Sequence, residues 1–355
     1  MRREGNLLPR IVNFHNIELA FQNAKKNKYE NYKKIDFEKF EQNYDDNIFE
    51  IIDMLSNLEF RSSKYSFFHI NDRGKKREIA NLPFFPDRVV HWALMNVTQP
   101  LFERTFIDTT YASIKNRGVE LALKNLNRDL KRFPELKYCL KLDVEKYFPS
   151  VNKEILKKMF RKIIKDNDVL FLLDGLVDDY PKSGIPIGNY TSQIFGNFYL
   201  SYFDHYVKEE LKVKVYHRYM DDMVLLAENK KELWRILEEI KKYLEDELDL
   251  KVKDNYQIFP IESRGVDFVG YKSYGYKITI RNKNKMNAWK SVNKINKLVD
   301  THQESYYHNN KRRGQLASYH GIVKRATGNK LRKQMFDETI KRIEEVQNEN
   351  NNSMV

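Results

Sequence analysis

The chain carries two short segments whose acids could do metal chemistry. In His217-Arg218-Tyr219-Met220-Asp221-Asp222-Met223-Val224-Leu225-Leu226, two carboxylates sit at a tight turn between apolar, strand-like runs. A hairpin tip of that kind projects acids to where solvent and a cation can reach them. An isolated Asp-Asp is more often plain turn chemistry. The second segment changes that reading: Leu140-Lys141-Leu142-Asp143-Val144-Glu145-Lys146-Tyr147-Phe148 ends another short strand in an acid. Together, Asp143, Asp221 and Asp222 could hold two Mg²⁺ ions, with Mn²⁺ able to substitute, because hard oxygen donors suit hard cations. Two such ions would lower the pKa of an attacking hydroxyl and stabilise a leaving pyrophosphate, which is phosphoryl-transfer chemistry. The condition is spatial: the strand that ends at Asp143 must come within cation-bridging reach of the Asp221 turn.

The elements that must position these acids are legible in the periodicity. Ile17, Phe21 and Ala24 share one helical face, as do Phe37, Phe40 and Tyr44, and residues 48–58 form a further amphipathic stretch. Tyr65–Ile70 and Lys75–Ala80 read as strands around the turn signal Asn71-Asp72-Arg73-Gly74. Helices are expected over Asp87–Phe102, Gly118–Phe133, about Lys153–Lys165, Ser192–Leu211 and Glu232–Leu248. Tyr138–Val144, Val213–Tyr219 and Met223–Ala227 read as strands, and Gly265–Tyr271 with Tyr276–Ile280 as a hairpin. Residues 284–300 and about 313–346 read as basic helices.

Composition narrows the partners. At 355 residues and 41% hydrophobic, the chain is long and apolar enough for a sizeable core. Cys139 is the only cysteine, which excludes an internal disulfide and a cysteine zinc site, and the eight histidines show no HExxH spacing. No apolar run reaches bilayer length and the N-terminus leads into no long apolar segment, so a cytoplasmic protein without a membrane partner is expected. The net charge is +13. Between Arg281 and Met335, fourteen Lys/Arg face two acids, Asp300 and Glu304, so this segment holds nearly all of the excess. Trp289, Tyr306, Tyr307 and Tyr319 interleave with those cations, a pattern suited to stacking on bases while ammonium and guanidinium groups meet phosphates. A solvated helical surface is the plainer alternative.

From about residue 15 to residue 335 the chain resembles the reverse transcriptase family. Tyr219-Met220-Asp221-Asp222 matches the family's YxDD motif, and the residues around Asp143 match its first catalytic motif. The resemblance implies an α+β right-hand polymerase, with fingers over 1–136 and 154–186 in or near them. It implies a palm of antiparallel sheet packed on helices over 137–280, a basic helical thumb over 281–346, and a disordered tail over 347–355. It implies RNA-directed DNA polymerase activity on a template RNA with a DNA or RNA primer and deoxynucleoside triphosphates. By the same resemblance, Asp143, the Val144 backbone carbonyl and Asp221 ligate metal, with Asp222 a weaker ligand or a charge support. Phe148, five residues after Asp143, falls at the family's steric gate against a 2′-hydroxyl; a core Phe beside Tyr147 is the alternative. Arg77 and then Lys75 are the expected triphosphate clamp. Phe268, Val269, Gly270 and Tyr271 correspond to the primer grip, and Arg312, Arg313, Lys324 and Arg325 to a nucleic-acid-binding thumb surface. Lys251 or Lys253 is the candidate acid that would protonate pyrophosphate, at a local spacing that departs from the family pattern. Thr110-Tyr111-Ala112-Ser113 departs from the family's usual Tyr-Gly-Phe/Tyr-Arg.

One segment points to a subclass. Most of the family reads Gln-Gly-x-x-x-Ser-Pro where this chain has Ile187-Gly188-Asn189-Tyr190-Thr191-Ser192-Gln193. That form resembles the reverse transcriptases of diversity-generating retroelements, which misincorporate opposite adenine and work with a small, basic, oligomeric accessory variability protein. The Ile187 side chain cannot donate or accept a hydrogen bond, so a poorly paired nucleotide near Ile187, Gly188 and Gln193 would be penalised less. The alternative is that Ile187 packs and Gly188 only turns. A group-II-intron-like or defence-associated reverse transcriptase is the rival within the class, with little chain after the thumb for a maturase and endonuclease extension. A non-catalytic RNA-binding scaffold is the rival outside it.

Overall fold

The computed structural model describes residues 2–26, 38, 40–72, 74–300, 310–326 and 336. Along the chain come helices α1 (Phe14–Lys25) and α2 (Tyr44–Ser56), strands β1 (Ser66–Asp72) and β2 (Lys75–Asn81), then α3 (Val89–Glu103) and α4 (Val119–Arg132). After β3 (Tyr138–Leu142) follow α5 (Lys153–Ile163), α6 (Asn167–Asp178) and α7 (Tyr190–Tyr199). Then come β4 (Val215–Tyr219), β5 (Asp222–Ala227), α8 (Lys230–Leu248) and β6 (Gln257–Pro260). Three short strands, β7 (Val266–Phe268), β8 (Tyr271–Ser273) and β9 (Ile278–Ile280), precede α9 (Asn282–Asp300) and α10 (Asn310–Lys324). This is an α+β chain, and among the described residues its strands pair antiparallel within the β1–β2, β3–β6, β4–β5 and β7–β8–β9 groups.

By compactness the chain forms two units, one of residues 1–116, 142–213 and 235–256, the other of 117–141, 214–234 and 257–355. In the first, the expected apolar stripe of α1 is realised: Ile17, Phe21 and Ala24 are fully buried, and the Phe21 ring stacks on Phe40 at 4.4 Å. Phe37 lies outside the described residues. Side-chain caps set helix starts, as at Asn152, whose Oδ1 accepts from the Glu154 and Ile155 N–H groups ahead of α5. The buried Tyr199 hydroxyl donates to the Leu248 carbonyl (2.6 Å) and accepts from the Asn152 N–H (3.2 Å). In the second unit, β4, β5, β3 and β6 lie side by side in that order, and β7–β8–β9 form a meander.

Several expectations are corrected. The helix expected over Ser192–Leu211 stops at Tyr199; the chain resumes as a short helix, Ser201–His205, and a wider turn, Tyr206–Glu210. The Ser201 hydroxyl donates to the Phe198 carbonyl at 2.7 Å, diverting a backbone acceptor at the break. The helix expected to Lys165 ends at Ile163, and a separate helix, α6, follows with Asp166 as its cap. The strand expected to end in Asp143 closes at Leu142. Gly265–Tyr271 is not one strand: Val269 (φ 45°) and Gly270 (φ 94°) form a two-residue turn between Phe268 and Tyr271, so β8 becomes the middle strand of three. Trp289 and Tyr319 pack against a buried cluster of Leu123, Tyr271, Ile280, Ala288, Val292, Val323 and Phe336, and so serve the core where base stacking was expected. Tyr306, Tyr307, most of the segment 327–346 and the tail 347–355 lie outside the described residues.

His91 on α3 is a buried histidine whose Nδ1 lies 3.3 Å from the Thr191 hydroxyl of α7. Burial, with a smaller contribution from the Arg88 charge, pushes its pKa down from 6.5 to about 3. The folded state therefore refuses a proton that the unfolded chain accepts below about pH 6.5. Stability should fall as pH drops through that window, by roughly 2 kcal/mol between pH 6.5 and 5 from this group. Urea unfolding of the native chain and of His91→Gln at both pH values checks this: the variant should lose less on acidification, and equal losses would refute it.

Candidate active site

The acid turn is held from inside. Tyr219 pairs with Asp222, leaving Met220-Asp221 as a two-residue connection, and Met220 sits at φ 59°, where a Cβ is unfavourable. Arg218, fully buried one residue before Tyr219, donates from Nη1 to the Met220 carbonyl at 3.0 Å. His217, also fully buried, meets the Asp129 carboxylate at 3.1 Å. These contacts fix the turn so that Asp221 and Asp222 emerge half-buried at its end.

β3 is the neighbour of β5 in the sheet, and Asp143 is the residue that follows β3. Lys141 on β3 places its ammonium 3.2 Å from Asp222 Oδ1 and donates to the Asp267 carbonyl at 2.6 Å. The backbone at Asp143 is clamped: its carbonyl accepts from the Lys253 N–H (2.9 Å), and the Glu145 N–H donates to the Lys251 carbonyl (2.8 Å). These bonds frame an isolated antiparallel bridge between Val144 and Val252, in which the Val144 carbonyl takes no part. Lys251 and Lys253 thus enter the region through their backbone. Among the described residues no three His, Cys, Asp or Glu side chains are gathered into a metal cage. The donor types available, carboxylates and a backbone carbonyl, are those a hard divalent cation takes.

The residues expected to meet a nucleotide fall on two connected pieces of the first unit. On the β1–β2 hairpin, Lys75, Lys76 and Arg77 are all exposed, and alternation puts Lys75 and Arg77 on the face that carries Phe68 and Ile70. The Ala80 N–H of β2 donates to the Ile187 carbonyl at 2.8 Å. Gly188, at φ 128°, lies so close that a Cβ there would be 2.3 Å from the Ala80 carbonyl oxygen. Ile187 is half-buried and stands outside the core, and Gln193 is exposed on α7. Tyr147, not Phe148, is the core anchor: it is buried and its hydroxyl donates to the Gly196 carbonyl. Phe148 stays half-buried, with its carbonyl accepting from the Ile185 N–H at 2.9 Å.

Phe268 and Tyr271 are buried, and the Tyr271 hydroxyl donates to the Ile322 carbonyl at 3.0 Å. Between them Val269 is half-buried and Gly270 buried, and the Gly270 carbonyl accepts from the Arg281 N–H at 3.2 Å. Lys324 and Arg325 are exposed and line a groove of about 420 Å³ with Glu120, Lys124 and Ile278. Arg312 and Arg313 lie on α10, and their side chains are outside the described residues. Three site-shaping residues escaped the sequence reading: Lys141, Arg218 and Asn197, whose Nδ2 donates to the Ala112 carbonyl at 2.6 Å. The signal available was a polar side chain inside an otherwise apolar run.

Residues 64–273 match the family described as reverse transcriptase (RNA-dependent DNA polymerase). Protein YkfC of Escherichia coli (strain K12) is 25% identical over 242 residues, spanning 56% of this chain and 63% of its own. The group II intron-encoded protein LtrA of Lactococcus lactis subsp. cremoris is 27% identical over 194 residues, spanning 52% of this chain and 31% of its own. The chain therefore covers less than two thirds of the length of these relatives. Among solved structures, apo telomerase from Candida tropicalis truncated from its C-terminal domain matches with a TM-score of 0.47 at 15% identity, over 61% of this chain and 55% of that one.

Gly188→Ala should force β2 away from the 187–188 turn, because both the positive φ and the backbone oxygen oppose a Cβ. A loss of at least about 2 kcal/mol in denaturant unfolding is expected. Gly175→Ala on α6, where nothing stands within 4 Å of the added carbon, serves as control and should be neutral or stabilising. Indistinguishable behaviour of the two variants would contradict the stitched geometry.

Proposed function

The chain belongs to the reverse transcriptase (RNA-dependent DNA polymerase) family, and from that premise we propose that it is an RNA-directed DNA polymerase that extends a primer along a template RNA. The observation that carries the proposal is the sheet order. The Asp221-Asp222 turn opens β5, whose neighbour β3 leads directly into Asp143. In this reading Asp143, Asp221 and the Val144 carbonyl hold divalent cations, Mg²⁺ with Mn²⁺ as substitute, and Asp222 supports the local charge. Such cations, when bound, supply Lewis-acid stabilisation to phosphoryl transfer. Lys75 and Arg77 steady the triphosphate. Phe148 serves as the steric gate against a 2′-hydroxyl, so deoxynucleotides are preferred. The segment Phe268–Tyr271 supports the primer end through its turn backbone, and Lys324, Arg325, Arg312 and Arg313 meet duplex phosphates. In this reading residues 1–136 act as fingers, with 154–186 in or near them, 137–280 as palm and 281–346 as thumb.

Asp221→Asn tests this directly. Primer extension should fall by about a thousandfold, the equivalent of several kcal/mol of transition-state stabilisation, while template–primer affinity stays within a few-fold. Extension that survives the substitution would leave the RNA-binding-scaffold reading standing instead.

The finer reading is an error-prone enzyme of a diversity-generating retroelement, working with a basic, oligomeric accessory protein. Its support is the Ile187-Gly188-x-x-x-Ser192-Gln193 segment, with Ile187 half-buried beside β2 and unable to restrain a nucleotide by hydrogen bonding. A group-II-intron-like role is the second reading, favoured by the likeness to LtrA. Sequencing of cDNA made by the native chain and by Ile187→Gln separates them. The first reading expects frequent errors opposite adenine that drop severalfold in the variant; the second expects no adenine bias in either.

A further inference from the structure

Lys141 precedes Asp143 by two residues and is not itself one of the acids, yet its ammonium meets two other strands at once. Nζ is 3.2 Å from Asp222 Oδ1 on β5 and donates at 2.6 Å to the Asp267 carbonyl on β7. Asp267 in turn takes Nε and Nη2 of Arg281 on its Oδ1. The side chains of Lys141 and Asp222 are mostly covered, at 23% and 27% exposure, so solvent screens the pair only in part. We propose that Lys141 is the positioning residue of this site: it neutralises Asp222 and ties the Asp221-Asp222 hairpin to the 266–273 hairpin, so that acids and primer support keep one registration. Its consequence for catalysis rests on the polymerase reading; the tie itself rests on the contacts among β3, β5 and β7.

The chemistry of lysine suits that place. A tetrahedral ammonium offers three donors and can serve a carboxylate and a carbonyl together, whereas a planar guanidinium would favour a two-pronged grip on Asp222 alone. With Asp222 matched by a resident cation, its share in holding a divalent ion shrinks. That share passes to Asp143, Asp221 and the Val144 carbonyl. The Asp267 carbonyl that Lys141 grips lies two residues before the Val269-Gly270 turn, so the same bond fixes the height of that turn.

Three variants test the tie: Lys141→Met, Asp222→Asn and the double variant. The readouts are thermal melting, template–primer affinity by fluorescence anisotropy in EDTA, and Tb³⁺ luminescence titration, none of which requires turnover. Lys141→Met should lower Tm by several degrees, because it leaves a largely covered carboxylate without its cation. It should also weaken template–primer binding severalfold and tighten Tb³⁺ binding as Asp222 is unmasked. Adding Asp222→Asn should restore most of the Tm and remove the extra Tb³⁺ affinity, but not the template–primer affinity, since the bond to Asp267 is still missing. Should Lys141→Met fail to fold, recovery of folding in the double variant supports the proposal and its absence overturns it. Additive Tm losses, or unchanged template–primer affinity in Lys141→Met, also overturn it. If Asp221→Asn leaves extension intact while these results hold, the polymerase reading alone falls.

Discussion

Carboxylates crowded at a turn repel one another and must be matched by cations before they can be held in place. In this chain the match is made inside the sheet. Lys141 reaches Asp222 from the adjacent strand, and buried Arg218 holds the Met220 carbonyl from beneath. The two cations have different tasks. Arg218 supports a backbone conformation that a methionine would not choose, with φ at 59°. Lys141 offsets charge and, through Asp267, carries the constraint on to the next hairpin. Asp221 stands at the apex of the turn, directly before Asp222.

A second constraint operates in backbone atoms alone. Gly184 and Gly188 both sit at positive φ, and each lies against a carbonyl that a Cβ would strike: Phe148 at 2.1 Å and Ala80 at 2.3 Å. The segment between them is thereby pressed onto the residue proposed as the gate at one end and onto the basic hairpin at the other. Ile185 and Ile187 bond the same two neighbours through their own N–H and C=O groups. A side chain at 187 is therefore presented from a fixed backbone, so its chemistry can matter without any rearrangement of the loop.

The acid turn was legible because strand periodicity and turn chemistry agree over ten residues, from His217 to Leu226. The helical stripe of α1 was legible for the same reason. The break at Leu200 was not, since the aromatic run continues past it at helical spacing and only the Ser201 hydroxyl marks the exit. The meander at 266–280 was misread because Val269-Gly270 looks like strand interior unless Phe268 is known to pair with Tyr271. Lys141 stands out in the sequence only as a cation inside the apolar run Cys139–Leu142; its partners lie 81 and 126 residues away, so nothing local says what it meets.

The basic C-terminal helices show how burial changes the meaning of a composition. Cations interleaved with aromatics suggest rings available for stacking, but Trp289 and Tyr319 turn inward to the cluster around Ala288 and Val292. Among the described side chains of α9, Lys283, Lys285, Lys290, Lys294 and Lys297 are exposed, together with Asn282, Met286 and Asn293. Such a surface grips phosphates and carries no information about base identity. Any nucleic acid held there would be held independently of sequence and released by salt as counterions return. Selectivity for a particular template or nucleotide must then originate elsewhere, and it is to the fixed backbone around Ile187 and the ring of Phe148 that the proposed function assigns it.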